Sequence, residues 1–499
     1  MLTSTSPYVR CNFTNVCYNI EYDILQNVTL GGITVSKYHA TLSRRDFMKA
    51  VGLAGAGVGA AAAMAPGFKD LDDLAATSTN QSHPWWVKDR EFNDPTNEID
   101  WNTFKPYDNK INAMPTINQA AKDANTIRDN NIQKAAFASK APGDSLRDYA
   151  FGQGSSFIGP DAPWDGPSAS LPANAEGKRW EDTPENNLQM MRAALHTYGA
   201  VLTGALEVND KTKKIFDASG FVFDSSDKGY QDEKKVYHIP EKCKYMLTFA
   251  VKQNYIQSLY QLRLDDSMPG GYGTKLALGN QAIGHAYSNS SQTGYAAMRM
   301  VKTLGYQALK TGVRANVPLG IFSGLGEQGR ATSLLTPRYG LMVRYTNYFF
   351  TDLPLAPTPP MDAGLITFCK TCVRCGERCP SESISQDNDT TWDTASTGNR
   401  PGFKGFFMNW QSCIDFGSPG ACGNCQATCP FNHASDGVIH PIVRAAAATT
   451  PVFNSFFATM DRAFDYAKAK SDKELTDWWS RDLDKWQADT TLGSGKNIW

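Results

Sequence analysis

Eight of the eleven cysteines in this 499-residue chain lie between residues 369 and 429, in two groups whose spacing suits redox chemistry. The first group has the spacing C-x2-C-x2-C-x3-C-P, which is the ligand run of a bacterial-type [4Fe–4S] ferredoxin. It consists of Cys369, Cys372, Cys375 and Cys379. The second group consists of Cys413, Cys422, Cys425 and Cys429. Eight thiolates provide four ligands for each of two clusters, so the sequence predicts a protein that transfers single electrons at low potential.

Two other uses of clustered cysteines fit this spacing less well. Cysteines two or three residues apart rarely have the Cα separation and Cβ directions that a disulfide needs. Zinc sites usually combine C-x2-C pairs from two parts of a chain, whereas the first group places three cysteines within seven residues and a fourth before a proline. The remaining cysteines, Cys11, Cys17 and Cys243, are too few for a disulfide framework.

The ligands of the two clusters are expected to cross between the groups, because the fourth cysteine of each run in a two-cluster ferredoxin binds the other cluster. The first cluster is assigned to Cys369, Cys372, Cys375 and Cys429. The second cluster is assigned to Cys379, Cys413, Cys422 and Cys425. Cys413 is the irregular member, since Pro419 lies three residues before Cys422 where a cysteine is usual. The Gly-Ser-Pro-Gly stretch at 417–420 is expected to form a loop that brings Cys413 to the iron.

A second motif lies near the start of the chain. The segment Ser43–Lys49 contains the twin arginines Arg44 and Arg45 and precedes a Gly- and Ala-rich apolar stretch that extends to Ala65. This combination is typical of a Tat export signal, with a buried Gly/Ala-rich helix as the alternative. Tat export suits a cluster-binding protein because Tat carries folded proteins. No other run of about eighteen apolar residues occurs, so we expect a mature protein that does not span a membrane.

The Tat motif lies unusually far from Met1. Residues 35–39 resemble the ordinary start of such a signal, so we hypothesise that translation begins at Val35 from an alternative start codon. Residues 1–34 would then be a wrongly assigned extension. A peptide from residues 1–34 in mass spectra of the unprocessed precursor would contradict this hypothesis.

Charge and apolar periodicity restrict the fold and its partners. The net charge of −1 gives no sign of the basic surface that a nucleic-acid partner requires. A helix is predicted to begin at Thr183-Pro184 and to end near Tyr198-Gly199. Buried strands are predicted at Tyr245–Val251 and Leu341–Phe350, and a helix at 292–310. The mixture of helices and strands predicts an α/β (α+β) domain.

From these features we divide the chain into six segments. They are residues 1–34, the extension; 35–66, the Tat signal peptide; 67–175, a partly irregular segment that wraps the main domain; 176–355, the α/β domain; 356–440, a bacterial-type two-[4Fe–4S] ferredoxin-like domain; and 441–499, a C-terminal helical segment.

The Tat motif, a large upstream domain and a C-terminal two-cluster module together resemble the respiratory reductive dehalogenases, the corrinoid iron–sulfur enzymes of organohalide-respiring bacteria. The resemblance covers nearly the whole chain from about residue 36 and is greatest to the dehalogenases of chlorinated ethenes and chlorobenzenes. Further motifs that carry it are Trp180–Asn187, Ser323–Arg330, Thr336–Gly340, Thr351–Thr358, Asp362–Gly364 and Thr450–Phe457.

The resemblance implies a cobalamin bound base-off in the segment 176–355, with a fold similar to B12-processing and nitroreductase-like proteins. None of the seven histidines lies in the Asp-x-His-x-x-Gly cobalt-ligand motif of other corrinoid enzymes. A cobalt without a lower protein ligand is easier to reduce to Co(I). Electrons would then pass singly through the two clusters to cobalt. Co(I) could attack the halogenated carbon, transfer an electron to it or bond to the halogen, and the sequence leaves these three routes open.

The resemblance also implies a proton donor and its neighbours. The family's tyrosine falls at Tyr287, the asparagine at Asn316 and the basic residue at Arg344, with Arg330 as the alternative base. An adjacent arginine would stabilise the phenolate that forms when the tyrosine gives up its proton. Tyr295 is the rival donor, and most buried tyrosines in any protein serve only packing.

The implied partners are a small organohalide, a small membrane anchor protein and a respiratory electron donor complex. The implied location is the outer face of the cytoplasmic membrane, bound peripherally after Tat export. Two alternative functions are an exported ferredoxin-type electron carrier and a corrinoid enzyme similar to epoxyqueuosine reductase. A carrier does not need so large an upstream domain. The Tat motif and the lack of a basic surface both argue against an enzyme that acts on tRNA in the cytoplasm.

Overall fold

The computed structural model describes residues 28–30, 33–35, 83–84, 86–108, 111–155, 159, 161–310, 315–417, 422–432 and 439–483. The chain forms two compact units, residues 1–68 and 69–499. The described part of the first unit is an antiparallel pair of short strands, Val28–Leu30 (β1) and Ile33–Val35 (β2). The predicted Tat motif, Cys11 and Cys17 lie outside the described residues, so the export prediction stays a prediction.

The second unit contains short and long helices around one larger sheet. Its described α-helices are Gln119–Ser139 (α1), Leu146–Ser155 (α2), Pro184–Tyr198 (α3), Tyr255–Leu259 (α4), Ala277–Thr303 (α5), Asn316–Phe322 (α6), Leu365–Thr371 (α7), Arg374–Glu377 (α8), Trp410–Gly417 (α9), Asn424–Ala427 (α10), Ile439–Thr449 (α11), Asn454–Phe464 (α12) and Asp472–Asp477 (α13). Its described strands are Lys88–Asp89 (β3), Ala200–Glu207 (β4), Phe221–Asp224 (β5), Tyr230–Gln231 (β6), Tyr237–Pro240 (β7), Tyr245–Lys252 (β8), Leu309–Lys310 (β9), Glu327–Gln328 (β10), Leu334–Leu335 (β11), Val343–Arg344 (β12), Phe349–Thr351 (β13) and Met361–Asp362 (β14). No helix among the described residues has both the length and the apolar character needed to cross a membrane.

The central sheet is antiparallel and is organised around β8. Strand β4 pairs along the length of β8, while β12 and β13 pair with β8 as well and β9 pairs with β13. All of β8 except Tyr245 is buried, which explains why its sequence is an almost continuous apolar run. The predicted strand at Tyr245–Val251 is therefore confirmed, and the unit has an α+β fold.

The predicted strand Leu341–Phe350 is wrong as a single element. Two short strands, β12 and β13, pair with opposite ends of β8, and residues 345–348 leave the ladder between them. Asn347 has a φ of 64° there, a left-handed conformation that no strand continues through. This interruption leaves Arg344 at the end of β12, opposite Val251.

The helix predicted at 292–310 begins and ends earlier in the structure, since α5 spans Ala277–Thr303 and residues 309–310 form β9. The first half of α5 is rich in Gly, Ala, Ser and Asn, so it lacks the apolar periodicity that marks the second half. Small residues are required because the helix packs directly on backbone. A Cβ at Gly279 would lie 2.1 Å from the backbone nitrogen of Gln261.

The prediction for α3 is confirmed. Its N-cap Thr183 accepts a hydrogen bond from the backbone N–H of Asn186 at 3.2 Å, and Gly199 ends the helix at a φ of 118°. Within the segment predicted to be irregular, however, α1 and α2 are regular helices. Helix α1 has only one buried residue, Ala136, and thus no apolar stripe for sequence reasoning to detect.

Candidate functional site

Short helices and their flanking turns carry the eight clustered cysteines. Helix α7 carries Cys369 and ends at Cys372, whereas Cys375, Cys413 and Cys425 lie on α8, α9 and α10. All nine described cysteines are free thiols, so no disulfide forms among them. The ninth, Cys243, lies in the main hydrophobic core, where burial and then Asp352 raise its pKa to about 12. A neutral, enclosed thiol of this kind serves packing.

The thiols of Cys369, Cys372, Cys375 and Cys429 interact electrostatically with one another and are called the first set. Burial raises the pKa of the Cys375 thiol well above its usual value, and the charges of Cys369, Cys372 and Cys429 raise it further. The pKa of Cys429 is raised by burial and by Cys369 and Cys372 in the same way. These four residues are the ones assigned to the first cluster.

The thiols of Cys379, Cys413, Cys422 and Cys425 form the second set. Burial raises the pKa of Cys422 to about 12, and the charges of Cys379 and Cys413 contribute to the increase. Burial and then Cys379 raise the pKa of Cys413 to about 11. The structure thus brings the irregular residue Cys413 to the second set, on helix α9, while the loop residues 418–421 lie outside the described part of the chain.

The two sets suit a polynuclear iron site. Thiols whose pKa is raised by burial stay neutral unless a bound cation supplies positive charge, and iron does this for cysteine ligands. Among the described residues, no three His, Cys, Asp or Glu side chains converge tightly enough to hold a single metal ion. The four irons of a cubane, each bound by one cysteine, require thiols that are farther apart.

The motif Ser323–Arg330 holds the helix that carries Cys369 at both of its ends. The buried carboxylate of Glu327 accepts hydrogen bonds from the backbone N–H groups of Ala363, Leu365 and Ile366, at 2.8, 3.1 and 3.2 Å. An acidic acceptor at a helix N-terminus satisfies free donors and complements the helix dipole. Burial raises the pKa of Glu327, and these N–H groups oppose that increase.

Arg330 holds the other end of α7 and is 1% exposed. Its Nε donates to the carbonyl oxygens of Cys369 and Cys372, at 3.1 and 3.2 Å, and its Nη1 donates to that of Ser385 at 2.7 Å. Its guanidinium lies 4.1 Å from the ring centroid of Phe406. These contacts hold the cysteine loop, so they favour Arg344 over Arg330 as the basic residue beside the proton donor.

A cavity of about 620 Å³ lies next to the second set, a volume typical of small-molecule sites. All four thiols of the second set line it, together with residues from α5, β12 and α10. Its other described lining residues are Lys275, Asn280, Ile283, Gly284, Tyr287, Ala331, Ser333, Arg344, Pro380, Ser381, Ile384, Met408, Trp410, Phe416, Gly423, Asn424 and Gln426. The cavity therefore joins a cysteine set to two of the three side chains predicted to be catalytic, Tyr287 and Arg344.

Tyr287 and Arg344 meet in this cavity. The guanidinium carbon of Arg344 lies 5.1 Å from the ring centroid of Tyr287. Arg344 is 6% exposed, and its Nη2 donates to the side-chain oxygen of Gln426 at 3.1 Å. Its Nε is buried and has no hydrogen-bond acceptor among the described residues. Tyr295, the rival donor, instead packs against the main hydrophobic core and does not line the described cavity.

Asn316, the third predicted catalytic residue, is not among the residues that line this cavity. It is the first residue of α6 and is half-buried. Residues 311–314, directly before it, lie outside the described part of the chain. The catalytic role of Asn316 therefore stays a prediction.

Sequence reasoning missed several polar residues of the cavity wall. The Lys275 ammonium donates to the side-chain oxygen of Asn280 at 2.8 Å. Asn424 is fully buried, and its side-chain oxygen has no donor among the described residues. Asn424 and Gln426 flank Cys425, so their positions within the cysteine run could have indicated them. Lys275 lies just before α5 in no motif, and only the folded chain brings it to the site.

The local backbone at the second set depends on a glycine. Gly423 lies between Cys422 and Asn424 with a φ of 69°, which favours glycine. A Cβ at this position would also meet the side-chain nitrogen of Gln261 at 2.6 Å. The turn that starts α10, and with it the direction of Cys422 and Cys425, therefore requires a residue without a side chain.

Comparisons with known proteins show which family the chain resembles. Residues 368–432 match the family model of the 4Fe-4S double cluster binding domain. The chain is 32% identical to the chloroethene reductive dehalogenase of Dehalococcoides mccartyi strain VS, over 90% of this chain and 98% of that relative. It is 29% identical to a trichloroethene reductive dehalogenase of another Dehalococcoides mccartyi strain, over 89% of this chain and 97% of the relative.

A solved structure has a similar fold. It is a reductive dehalogenase whose description concerns a mechanism for B12-dependent dehalogenation, and it aligns with a TM-score of 0.52 at 18% sequence identity. The alignment covers 76% of this chain and 49% of that one, so the present chain matches about half the length of the solved protein.

Proposed function

Because this chain belongs to the reductive dehalogenase family, we propose that it replaces a halogen of a small organohalide by hydrogen, using two [4Fe–4S] clusters and a corrinoid. The observation that carries the proposal is the cavity in which the second cysteine set, Tyr287 and Arg344 meet. The bound clusters supply single electrons, and the corrinoid supplies a strongly reducing cobalt. This chain's own residues hold these groups, enclose the substrate and provide the proton.

The cluster ligands follow from the two sets. We propose that Cys369, Cys372, Cys375 and Cys429 bind the first cluster. We propose that Cys379, Cys413, Cys422 and Cys425 bind the second. All four thiols of the second set line the described cavity, which supports the proposal that they would hold a cluster beside the reacting groups.

The cavity fits the edge of a corrinoid. A corrin ring carries amide side chains that both donate and accept hydrogen bonds. The wall offers a buried donor, Arg344 Nε, and a buried acceptor, the side-chain oxygen of Asn424, and neither has a partner among the described residues. Buried polar groups are normally paired, so these two atoms are suited to a bound ligand. The amides of Asn280 and Gln426 also line the cavity.

Tyr287 is the proposed proton donor. Replacing the halogen consumes two electrons and one proton and releases a halide ion. The Tyr287 O–H bond breaks as the new C–H bond forms, and the phenolate then regains a proton from water. The guanidinium of Arg344, 5.1 Å from the Tyr287 ring centroid, stabilises the negative charge that appears on the phenolate oxygen.

The rest of the wall supports a proposal for the substrate class. Ile283, Ile384, Met408, Trp410 and Phe416 give the cavity apolar surface, and such surface binds small, weakly polar molecules. We propose a chlorinated alkene or arene as the substrate. Two relatives are named for chloroethene and trichloroethene, which favours a chlorinated alkene over a chlorinated arene.

The location and partners are proposed from the sequence. Tat export directed by Ser43–Lys49 would carry the folded enzyme to the outer face of the cytoplasmic membrane. A small membrane anchor protein would hold it there, where a respiratory complex supplies electrons. Replacing Arg44 and Arg45 by lysine should leave the precursor in the cytoplasm, and unchanged export of that variant would contradict the proposal.

Activity and cofactor content test the proposal together. The purified, reconstituted chain is assayed for halide release from chlorinated ethenes and chlorinated arenes with a reduced low-potential dye, and its iron, cobalt and corrinoid are quantified. We expect eight irons, one corrinoid and halide release. Iron without bound corrinoid, and no halide release, would instead support the exported electron carrier.

A further inference from the structure

Helix α9 carries the irregular member of the second set, Cys413, and its last turn lies against the long helix α1. Cys413 and Cys422 are nine positions apart, so the turn that carries Cys422 and Cys425 does not by itself fix the position of Cys413. A helix of eight residues is also too short to be stable without support from its neighbours. The position of Cys413 therefore depends on the contacts that hold α9.

The N-terminal end of α9 is held by residues of the cysteine-rich region itself. The side-chain oxygen of Asn409 accepts hydrogen bonds from the backbone N–H groups of Gln411 and Ser412, at 3.1 and 3.2 Å. The backbone N–H of Asn409 donates to the carbonyl oxygen of Ser383 at 2.8 Å. This end of α9 is therefore joined to the segment that follows Cys379, another member of the second set.

The C-terminal end of α9 is held by α1. The last carbonyl groups of a helix have no partner within that helix. The side-chain nitrogen of Asn125 donates to the carbonyl oxygen of Asp415 at 2.8 Å. Nη2 of Arg128 donates to the carbonyl oxygen of Phe416 at 3.2 Å, and its guanidinium carbon lies 5.6 Å from the centroid of the Phe416 ring. Nε of Arg128 donates to the neighbouring Asp129 at 3.0 Å. Two side chains of α1 therefore complete this end of α9.

The contact is reciprocal, because α9 also completes the start of α1. The N-cap residue of α1, Asn118, makes no capping hydrogen bond through its own side chain. The carboxylate of Asp415 accepts from the backbone N–H of Asn118 at 2.8 Å and from its side-chain nitrogen at 2.5 Å. A carboxylate at a helix N-terminus also complements the helix dipole. Each helix therefore satisfies polar groups at one end of the other.

The helices of the first set are supported in a different way. Buried side chains hold both ends of α7, and ion pairs join α8 and the residue after it to α12 and its C-cap. Arg374 and Arg378 each donate to the carboxylate of Asp465 at 2.6 Å, and Arg462 donates to Glu377 at 2.8 Å. None of these contacts involves α1. Loss of a contact between α1 and α9 should therefore affect the second set alone.

From this geometry we infer that Arg128 and Asn125 are positioning residues for the second cluster, which act on it through α9 and Cys413. The inference rests on the proposed binding of a [4Fe–4S] cluster by the second set and does not depend on the organohalide. Ala136 is the one buried residue of α1, so mainly polar contacts join this helix to α9. Replacing residues that orient metal ligands usually lowers metal affinity by about 10- to 100-fold.

The test measures the anaerobic release of iron from the reconstituted full chain to a ferrous-iron chelator, while EPR of the reduced protein follows each cluster. In Arg128→Met we expect the second cluster to be lost about tenfold faster than in wild type, with the first cluster unchanged. Asn125→Ala should act in the same direction, because the Asp415 carbonyl loses its donor. Arg128→Lys keeps a cationic donor and should lose the cluster more slowly than Arg128→Met. Lys134→Met, an exposed change on the same helix, is the matched control and should behave as wild type.

The affected cluster is identified by adding Arg128→Met to Cys413→Ala, in which only the first cluster is expected to remain. Iron release from that cluster should be the same with and without Arg128→Met. Wild-type release rates in a variant that combines Arg128→Met with Asn125→Ala would overturn the inference. Equal acceleration for both clusters would also overturn it, because the two residues would then stabilise the whole fold. Wild-type protein that binds no iron would contradict the proposed function instead.

Discussion

The first cysteine set is enclosed by paired charges and by the buried residues Glu327 and Arg330, whereas the second set lies against a cavity. Around the first set, hydrogen bonds fix both ends of the helix that carries Cys369. Around the second set, two buried polar atoms of the wall, Arg344 Nε and the oxygen of Asn424, have no partner among the described residues. The contrast indicates that the first region is built for stability and the second for binding.

The largest expected effect comes from removing the irregular ligand of the second set. Cys413→Ala should lose half of the iron and all measurable halide release, because one cluster would lack a ligand and the electron path to the cavity would end. Iron analysis and the dye-coupled assay measure both effects. Cys243→Ala is the matched control, since this thiol lies in the main core, and it should retain all the iron. Full iron content in Cys413→Ala would show that another residue is the ligand.

The next effect concerns the proton donor in the cavity. Tyr287→Phe should lower kcat by about 10²- to 10⁴-fold, the usual contribution of a general acid, while iron and corrinoid content stay unchanged. Tyr295→Phe, on the same helix but packed against the core, should retain wild-type kcat. Wild-type turnover by Tyr287→Phe would remove the tyrosine from the mechanism.

The first region is tested through Arg330. Arg330→Met would leave the carbonyls of Cys369, Cys372 and Ser385 without their donor and should cost about 3 kcal/mol or more of stability. We expect a lower midpoint in anaerobic guanidinium unfolding and preferential loss of the first cluster's EPR signal. Arg299→Met, on the exposed surface of α5, should leave both unchanged. Preferential loss of the second cluster would contradict the assignment of Arg330 to the first.

The smallest effect is the pH dependence contributed by Glu327. Burial raises its pKa in the folded protein above the value in the unfolded chain. The stability that such a carboxyl group contributes is fully present at pH values below the pKa of the unfolded chain. It is lost as the pH rises through the higher pKa of the folded protein. Glu327→Gln removes the titration. The Tm of wild type relative to Glu327→Gln should therefore fall as pH rises through this window, and a constant difference in Tm would contradict the raised pKa.

The two regions also differ in how well the sequence predicts them. The cysteines of each group lie close together in the sequence. Their spacing, and the exchange of the fourth ligand between the two clusters of a ferredoxin, therefore predict both sets, including Cys413. The structure brings the same residues together. The resemblance indicated Tyr287 and Arg344, which meet in the cavity. Lys275 could not be assigned to the site, because it lies in no motif and reaches the cavity only when the chain folds.

The errors in the fold have physical causes of the same kind. Helix α5 was predicted to begin too late, since close contact with the backbone at Gln261 selects small residues that carry no apolar period. Helix α1 was missed because it buries only Ala136. The strand at Leu341–Phe350 was predicted whole because most of its residues favour strands. The left-handed backbone at Asn347 divides it, and this turn leaves Arg344 at the cavity.

The most direct test of the central claim, that the second cysteine set adjoins the reacting cobalt and the first does not, is magnetic coupling measured by EPR. In the reconstituted enzyme with paramagnetic cobalt and reduced clusters, the cobalt signal should be broadened by a neighbouring cluster. We predict that Cys413→Ala removes this broadening, while Cys372→Ala, which perturbs the first set, leaves it in place. Broadening that persists in Cys413→Ala and disappears in Cys372→Ala would contradict the account.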